Sequence, residues 1–95
     1  MPAYLIADVD VTDPILFEQY RAQVPATIAA YGGKYVVRGG KTEVLEGQWQ
    51  PKRLIVLEFP NTGRLREWYR SKEYAPLMEL RKRAAKTNAI LVEGL

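Results

Sequence analysis

Four segments of the chain alternate apolar and polar side chains at the two-residue period of a β-strand. The first runs from about Ala3 to Val11, the second from Lys34 to Arg38, the third from Arg53 to Phe59 and the fourth from Asn88 to Gly94. Read this way, one sheet face offers Leu5, Ala7, Val9, Tyr35, Val37, Ile55, Leu57, Phe59, Ile90 and Val92 as a floor for helices. The other offers Tyr4, Ile6, Val36, Leu54, Val56 and Leu91, with Asp8, Arg38, Glu58 and Glu93 set among them. That mixed face is too apolar to stand in water and calls for a cover.

Between the strands the period changes. Asp13 is placed to cap a helix whose first turn suits Pro14, and Phe17, Tyr20, Val24, Ile28 and Tyr31 recur at three- and four-residue spacing. Pro25 removes a backbone donor from that stripe and predicts a kink or short break near Arg21 to Val24. Gly32-Gly33 ends the helix. Gly39-Gly40 predicts a turn or bulge, after which Thr42 to Glu46 continues extended, and a polar loop from Gly47 to Pro51 carries Trp49. Asn61 or Thr62 caps a second helix with Leu65, Trp68 and Tyr69 inward; Ser71 starts a fresh helical run from Lys72 to about Ala85, with Pro76 early in it.

The order is strand, helix, strand, strand, helix, strand. A faint repeat supports it: Phe17-Glu18-Gln19-Tyr20-Arg21 returns as Arg66-Glu67-Trp68-Tyr69-Arg70. Two such halves make an α+β, ferredoxin-like βαββαβ plait in which right-handed crossovers put the helices on one face. A second copy of the chain is the simplest cover for the other face, because a self-complementary surface needs no other gene product. The expectation is one domain over residues 1–95 that pairs as a homodimer.

Composition narrows the chemistry. With 95 residues, 47% hydrophobic and 26% charged, the chain suits one globular core. It has no histidine and no cysteine, which excludes histidine-based triads, disulfides, thiolate chemistry and histidine- or cysteine-held metals. Ser71 is its single serine, and no glycine-rich phosphate loop occurs, so neither a metal nor another cofactor is called for. No apolar run reaches the roughly 20 residues that span a bilayer, so a cytoplasmic location without membrane contact is the default. The net charge of +3 comes from the second half of the chain. Arg81, Lys82, Arg83 and Lys86 read as cations at a helix C-terminus, complementing its dipole, in preference to a nucleic-acid footprint.

Candidate sites follow from the mixed face. Asp8 and Glu58 are expected to end neighbouring parallel strands and so to converge near Lys34, either as a catalytic pair with one raised pKa or as an ion-pair cluster. The ligand-binding candidates are Arg38 and Arg53, which can clamp a carboxylate or pair with Glu46 or Glu93, together with Trp49 and Tyr4. Trp49, in a polar loop, suggests a pocket lid or a dimer contact; Trp68, Tyr69 and Tyr74 suit either an aromatic pocket or the core. Pro2, if exposed by loss of Met1, would suit a tautomerase-like base.

Tyr31-Gly32-Gly33-Lys34-Tyr35, Arg38-Gly39-Gly40, Leu45-Glu46-Gly47, the run Arg53 to Pro60, and Trp68-Tyr69 followed by Ser71 and Glu73-Tyr74 together resemble a family of small, mostly bacterial proteins known only as a domain of unknown function, within the dimeric α+β barrel superfamily. The resemblance covers nearly the whole chain. It implies two four-stranded sheets facing each other across a dimer, often with a pocket between sheet and helices, and no established reaction. Superfamily relatives include cofactor-independent monooxygenases, haem-degrading and chlorite-handling haem enzymes and amino-acid-sensing regulators; the haem-binding ones use a histidine that has no counterpart here. The reading that results is a dimer binding a small organic ligand beside its sheet. A cofactor-independent enzyme, monooxygenase-like or isomerase-like, and a purely structural or regulatory dimer are the alternatives.

Overall fold

The computed structural model describes all residues, Met1–Leu95. Its elements are β1 (Ala3–Val11), α1 (Pro14–Ala30), β2 (Lys34–Arg38), β3 (Leu54–Phe59), α2 (Thr62–Tyr69), α3 (Ala75–Ala84) and β4 (Ala85–Glu93). The strands form one sheet in the order β2-β3-β1-β4, with every neighbouring pair antiparallel. All three helices lie on one side, and the molecule measures 36 × 34 × 16 Å, the thin dimension being one sheet plus one helical layer. No helix is long and apolar enough to cross a membrane.

Local chemistry sets the helix ends. The Asp13 carboxylate accepts the Leu16 N–H at 3.1 Å, and the Asn61 side chain accepts that of Arg64 at 2.9 Å, so each satisfies a donor that the first turn leaves free. At the end of α1, Gly32 takes a φ of 80° and the Gly32 and Gly33 amides return to the carbonyls of Ala29 and Ile28. Ser71 stands between α2 and α3 as a double hinge pin: its hydroxyl donates to the Trp68 carbonyl at 2.7 Å and accepts from the Tyr74 amide at 3.1 Å. Helix α1 runs through Pro25 as a single element, so of the kink or short break expected near Arg21 to Val24 the break does not occur. The helices are held to the sheet by Ala3, Leu5, Ala7 and Val9 of β1, Leu57 and Phe59 of β3, Val24 and Ile28 of α1, and Leu65 and Trp68 of α2, all buried.

Three sequence expectations change. Strand β4 begins at Ala85, directly after α3, and Leu5 faces Leu91 while Ile6 faces Ile90 and Tyr4 faces Val92. Leu91 therefore belongs to the helix-covered face, as does Glu93 opposite Ala3, whereas Ile90 and Val92 lie on the uncovered one; the two faces of this strand are exchanged. The bulge in β2 falls between Tyr35 and Val37, not at Gly39-Gly40. The extra residue inverts the alternation behind it, and Arg38, opposite Ile55, arrives on the helix-covered face. Thr42 to Glu46 forms no strand; residues 39–53 are an irregular connection. The uncovered face thus carries Tyr4, Ile6, Val36, Val37, Leu54, Val56, Ile90 and Val92, with Asp8, Asp10, Lys34, Glu58 and Lys86 around them, so Val37 too has left the expected helix-covered face.

Candidate functional site

A cavity of about 60 Å³ lies between the helix-covered face of the sheet and the helices. Its floor comes from β3, β1 and the edge strand β4, where Ala7 sits between Ile55 and the exposed Ala89 in register. Two adjacent methyl side chains in the middle of the floor leave a depression that a pair of leucines would fill. The walls are Val24 and Ile28 of α1 and the aromatic side chains Phe17, Tyr20, Trp68 and Tyr74. These aromatics brace one another: Trp68 and Tyr74 lie 4.2 Å apart at ring centroids, and Phe17 and Tyr20 5.7 Å. The Trp68 indole N–H donates to the Thr27 hydroxyl at 3.0 Å, which fixes the ring in the core.

Polar groups enter the cavity at a few points. The hydroxyls of Tyr20 and Tyr74 are 3.0 Å apart and share a hydrogen bond. Burial pushes the pKa of both, and of Tyr35, above the usual tyrosine range, so all three stay protonated at neutral pH and serve as hydrogen-bond donors or acceptors, not bases. Arg21, Arg38, Arg53 and Arg81 line the same space, and no Asp or Glu does. Arg21 pairs with Glu18 at 3.3 Å on the surface. The Arg38 guanidinium lies 4.6 Å from the centre of the Tyr35 ring, and that of Arg53 lies 5.7 Å from Phe17. The Nε atoms of Arg53 and Arg81 and the Thr87 hydroxyl are buried with no hydrogen-bond partner in the protein.

The residues singled out in the sequence are divided between the two faces. Arg38 and Arg53 meet at the cavity, and neither is ion-paired with Glu46 or Glu93. Asp8, Glu58, Tyr4 and Trp49 do not line it. Asp8 and Glu58 fail to converge because β1 and β3 are antiparallel: Asp8 faces Leu54 and Glu58 faces Tyr4, four residues further along, or about 13 Å at roughly 3.3 Å per residue. Glu58 pairs with Lys34 at 3.8 Å. Asp8 accepts the Trp49 indole N–H at 3.1 Å and the Lys52 amide at 2.9 Å, and the first of these bonds draws its pKa below the usual carboxylate range, the reverse of what a general base at neutral pH needs. Tyr4 packs on Gly94, whose hydrogen leaves room for the ring edge. Trp49, nearly two-thirds exposed, closes over the Asp8 end of the uncovered face, not over the cavity.

Sequence reasoning passed over Arg81 and Thr87. Arg81 also satisfies the dipole of α3, which masks its second role, and Thr87 precedes the point at which the fourth strand was expected to begin. The only available signal was the alternation Ala85, Thr87, Ala89, which puts the hydroxyl on the helix side.

A four-stranded antiparallel sheet in this order, with helices on one face, is an α+β, ferredoxin-like fold, the fold seen in dimeric α+β barrel proteins. The chain belongs to the family described as Domain of unknown function (DUF1330), whose pattern matches residues 2–95. Among solved structures it resembles RPA0582, a protein of unknown function from Rhodopseudomonas palustris, at 18% identity and a TM-score of 0.79, over 99% of this chain and 82% of that one. It also resembles SnoaB, a cofactor-independent oxygenase from Streptomyces nogalater, at 14% identity and a TM-score of 0.68, over 99% and 93%. A protein of unknown function from Bacteroides thetaiotaomicron, described as a possible oxidoreductase, aligns over 98% and 97% at 12% identity and a TM-score of 0.59. No curated protein is similar to the chain in sequence. At these identities the structural likenesses establish the fold alone.

Proposed function

We propose that this protein is a homodimer that binds a small, largely apolar organic molecule in the cavity between its sheet and helices. The cavity carries the reading: an apolar, aromatic-walled space opens over β1 and the edge strand β4 because Ala7 and Ala89 stand where larger residues would close it. A library of small organic metabolites, read by melting temperature, tests it, since a ligand held only by the folded state raises stability. Compounds that stabilise the wild type and lose that effect in Ala89→Val, whose added methyl groups take up much of the space, support the reading. No stabilising compound, or equal stabilisation of the variant, contradicts it.

The fold shared with SnoaB favours a second reading, cofactor-independent oxygenation. Proton removal from a substrate would open such chemistry, and the cavity has neither a carboxylate nor an imidazole to perform it, while burial holds its tyrosines protonated. Binding without turnover is therefore the primary reading.

Dimer formation is proposed through the uncovered face. Val36, Ile90 and Val92 are there 51%, 61% and 40% exposed, and full burial of a side chain of this size contributes roughly 1.5–3 kcal/mol. The face carries both signs of charge, Asp8 and Glu58 with Lys34 and Lys86, so it can meet its own copy about a two-fold axis without like-charge opposition throughout. Sedimentation equilibrium at micromolar concentration should give twice the 10.8 kDa chain mass, and Ile90→Lys should give the chain mass. A wild-type protein sedimenting as a single chain contradicts the proposal.

A further inference from the structure

The two edges of the sheet are unlike. Strand β2 spans five residues, carries a bulge and begins and ends with Lys34 and Arg38, features that keep a sheet edge from pairing with another chain. Strand β4 spans nine, pairs with β1 in unbroken register and is apolar from Ala89 to Val92. One contact sets the phase of its hydrogen bonds: the Gly94 amide donates to the Pro2 carbonyl at 2.7 Å. Bonded pairs alternate along an antiparallel ladder, so Val92, Ile90 and Asn88 turn their backbone groups toward β1, while Leu91, Ala89 and Thr87 turn theirs outward, where the sheet ends. Beside those open groups a groove of about 210 Å³ runs between β4 and α2, lined by Leu65, Tyr69, Ala89 and Leu91 with Arg66 and Arg70. Neither arginine is ion-paired.

The connection between β2 and β3 holds the complement. Residues 40–51 make no backbone-to-backbone hydrogen bond, and residues 41–50 are all exposed. Asp8 ties down the return leg at Trp49 and Lys52. The outward leg carries Glu43-Val44-Leu45-Glu46, within the run whose sequence predicts an extended continuation of β2; Leu45 is 90% exposed there, and neither carboxylate is ion-paired. An apolar pair flanked by two free carboxylates thus matches an apolar groove bordered by two free guanidinium groups.

Symmetry brings the two together. When two sheets face each other about a two-fold axis along their strands, the rotation exchanges left and right, so the β2 edge of one copy lies over the β4 edge of the other. The same rotation leaves height along the strands unchanged. The outward leg leaves the sheet at Gly39, bonded to Leu54 opposite Asp8, and Ala89 lies opposite Ala7, one residue along. Five extended residues from Gly39 to Val44 reach about 16 Å, more than the roughly 10 Å between packed sheets. Resting on the homodimer reading above, we propose that residues 42–46 of each copy add a strand to the β4 edge of the other, with Leu45 in the groove and Glu43 against Arg66 and Arg70. The added strand takes up the outward amides and carbonyls of Ala89 and Leu91. Its alternation puts Glu43 and Leu45 on the helix side and Val44 beside Ile90 on the other, continuous with the dimer face. Residues 42–46 are irregular in the single chain because the strand that would pair with them belongs to the second copy.

The chain has no cysteine, so introduced thiols report contacts without background. Leu45→Cys and Ala89→Cys are prepared separately, mixed and treated with a short bismaleimide, and intact mass separates the mixed pair from either self-pair. The mixed pair should dominate. Each variant treated alone should stay uncoupled, because the two-fold sets the two copies of residue 45 at opposite edges, about 14 Å apart at three strand spacings. In the wild type the amides of Ala89 and Leu91 should exchange slowly where the dimer prevails and quickly on dilution to single chains. Arg66→Glu with Arg70→Glu should raise the dimer dissociation constant several-fold, and adding Glu43→Arg should recover part of that loss. A protein that sediments as a dimer yet gives no mixed pair, or exchanges both amides quickly, overturns the arm and leaves the face-to-face dimer standing, with the groove open to a different occupant. Sedimentation as a single chain at every concentration overturns both.

Discussion

The indole N–H of Trp49 donates to the Asp8 carboxylate at 3.1 Å, tying the long connection between β2 and β3 to one end of the uncovered sheet face. The same carboxylate accepts the Lys52 amide at 2.9 Å, so one side chain holds two points of an otherwise irregular segment. Arg53 follows directly, and its place at the cavity depends on that anchorage. Asp8→Asn turns one of the two acceptor atoms into a donor facing an N–H. We expect faster hydrogen exchange at Lys52 and Arg53 in this variant, with the amides of β1 unaffected; unchanged exchange at both positions would count against the anchoring role.

The same contact has a pH dependence of definite sign. Because the folded-state pKa of Asp8 is depressed, its contribution to stability is present above the ordinary aspartate value of about 3.9 and is lost only as pH falls through the lower folded value. The Trp49 indole N–H resonance should therefore hold its position on acidification through the ordinary aspartate range and move only below it. A midpoint at or above the ordinary value contradicts the assignment.

Alkaline behaviour is governed by the tyrosines. Burial raises the folded-state pKa of Tyr20, Tyr35 and Tyr74, so the stability linked to their neutral forms is complete below the unfolded value of about 10 and declines as pH rises above it. Of the six tyrosines, these three should ionise only as the protein unfolds, visible as a late step in tyrosinate absorbance that coincides with loss of helical signal. Six tyrosines titrating together before unfolding would contradict this.

Thr27→Val leaves the indole N–H of Trp68, 2% exposed, without its acceptor. The cost expected for a buried unsatisfied donor is about 1–3 kcal/mol, measured as a lower denaturant midpoint at unchanged slope. Thr27→Ser keeps the hydroxyl and should recover most of that loss, which separates the hydrogen bond from the packing.

Gly39 has a φ of 70°, and a Cβ there would approach within 2.7 Å of the Arg53 guanidinium. Gly39→Ala should cost roughly 1–2 kcal/mol for the left-handed backbone and displace Arg53, the flexible party, from its seat over Phe17. A lower denaturant midpoint at unchanged slope is the expected result. An unchanged midpoint would mean that neither the left-handed backbone nor the space beside Arg53 requires glycine.

Strand β1 was fully legible in the sequence, because its alternation from Ala3 to Val9 is unbroken and its caps and turns are conventional. The faces of β2 and β4 were not. Nothing in Tyr35-Val36-Val37 marks a bulge, since β-branched residues suit a strand on either side of one, and α3 passes into β4 at Ala84-Ala85 with no turn residue between. Each shift moves side chains to the opposite face, which is how Arg38 reached the cavity and Glu93 left the uncovered face. Arg53 was readable as an anion-binding candidate. Arg81 and Thr87, which line the same cavity, were not, because their places there are set by the register of β4 and the position of α3, neither of which has a local signature.

The account assigns different work to the two faces of one sheet, and methyl-resolved NMR reads both at once. Adding a small organic compound that raises the melting temperature should shift the methyl groups of Leu5, Val24, Ile28 and Leu57, on the cavity side, and leave those of Ile6, Val36, Val56 and Ile90 in place. Dilution should do the reverse, moving the second set as a dimer dissociates. Ligand-dependent shifts confined to Ile6, Val36, Val56 and Ile90, or a spectrum insensitive to both ligand and concentration, would contradict the account.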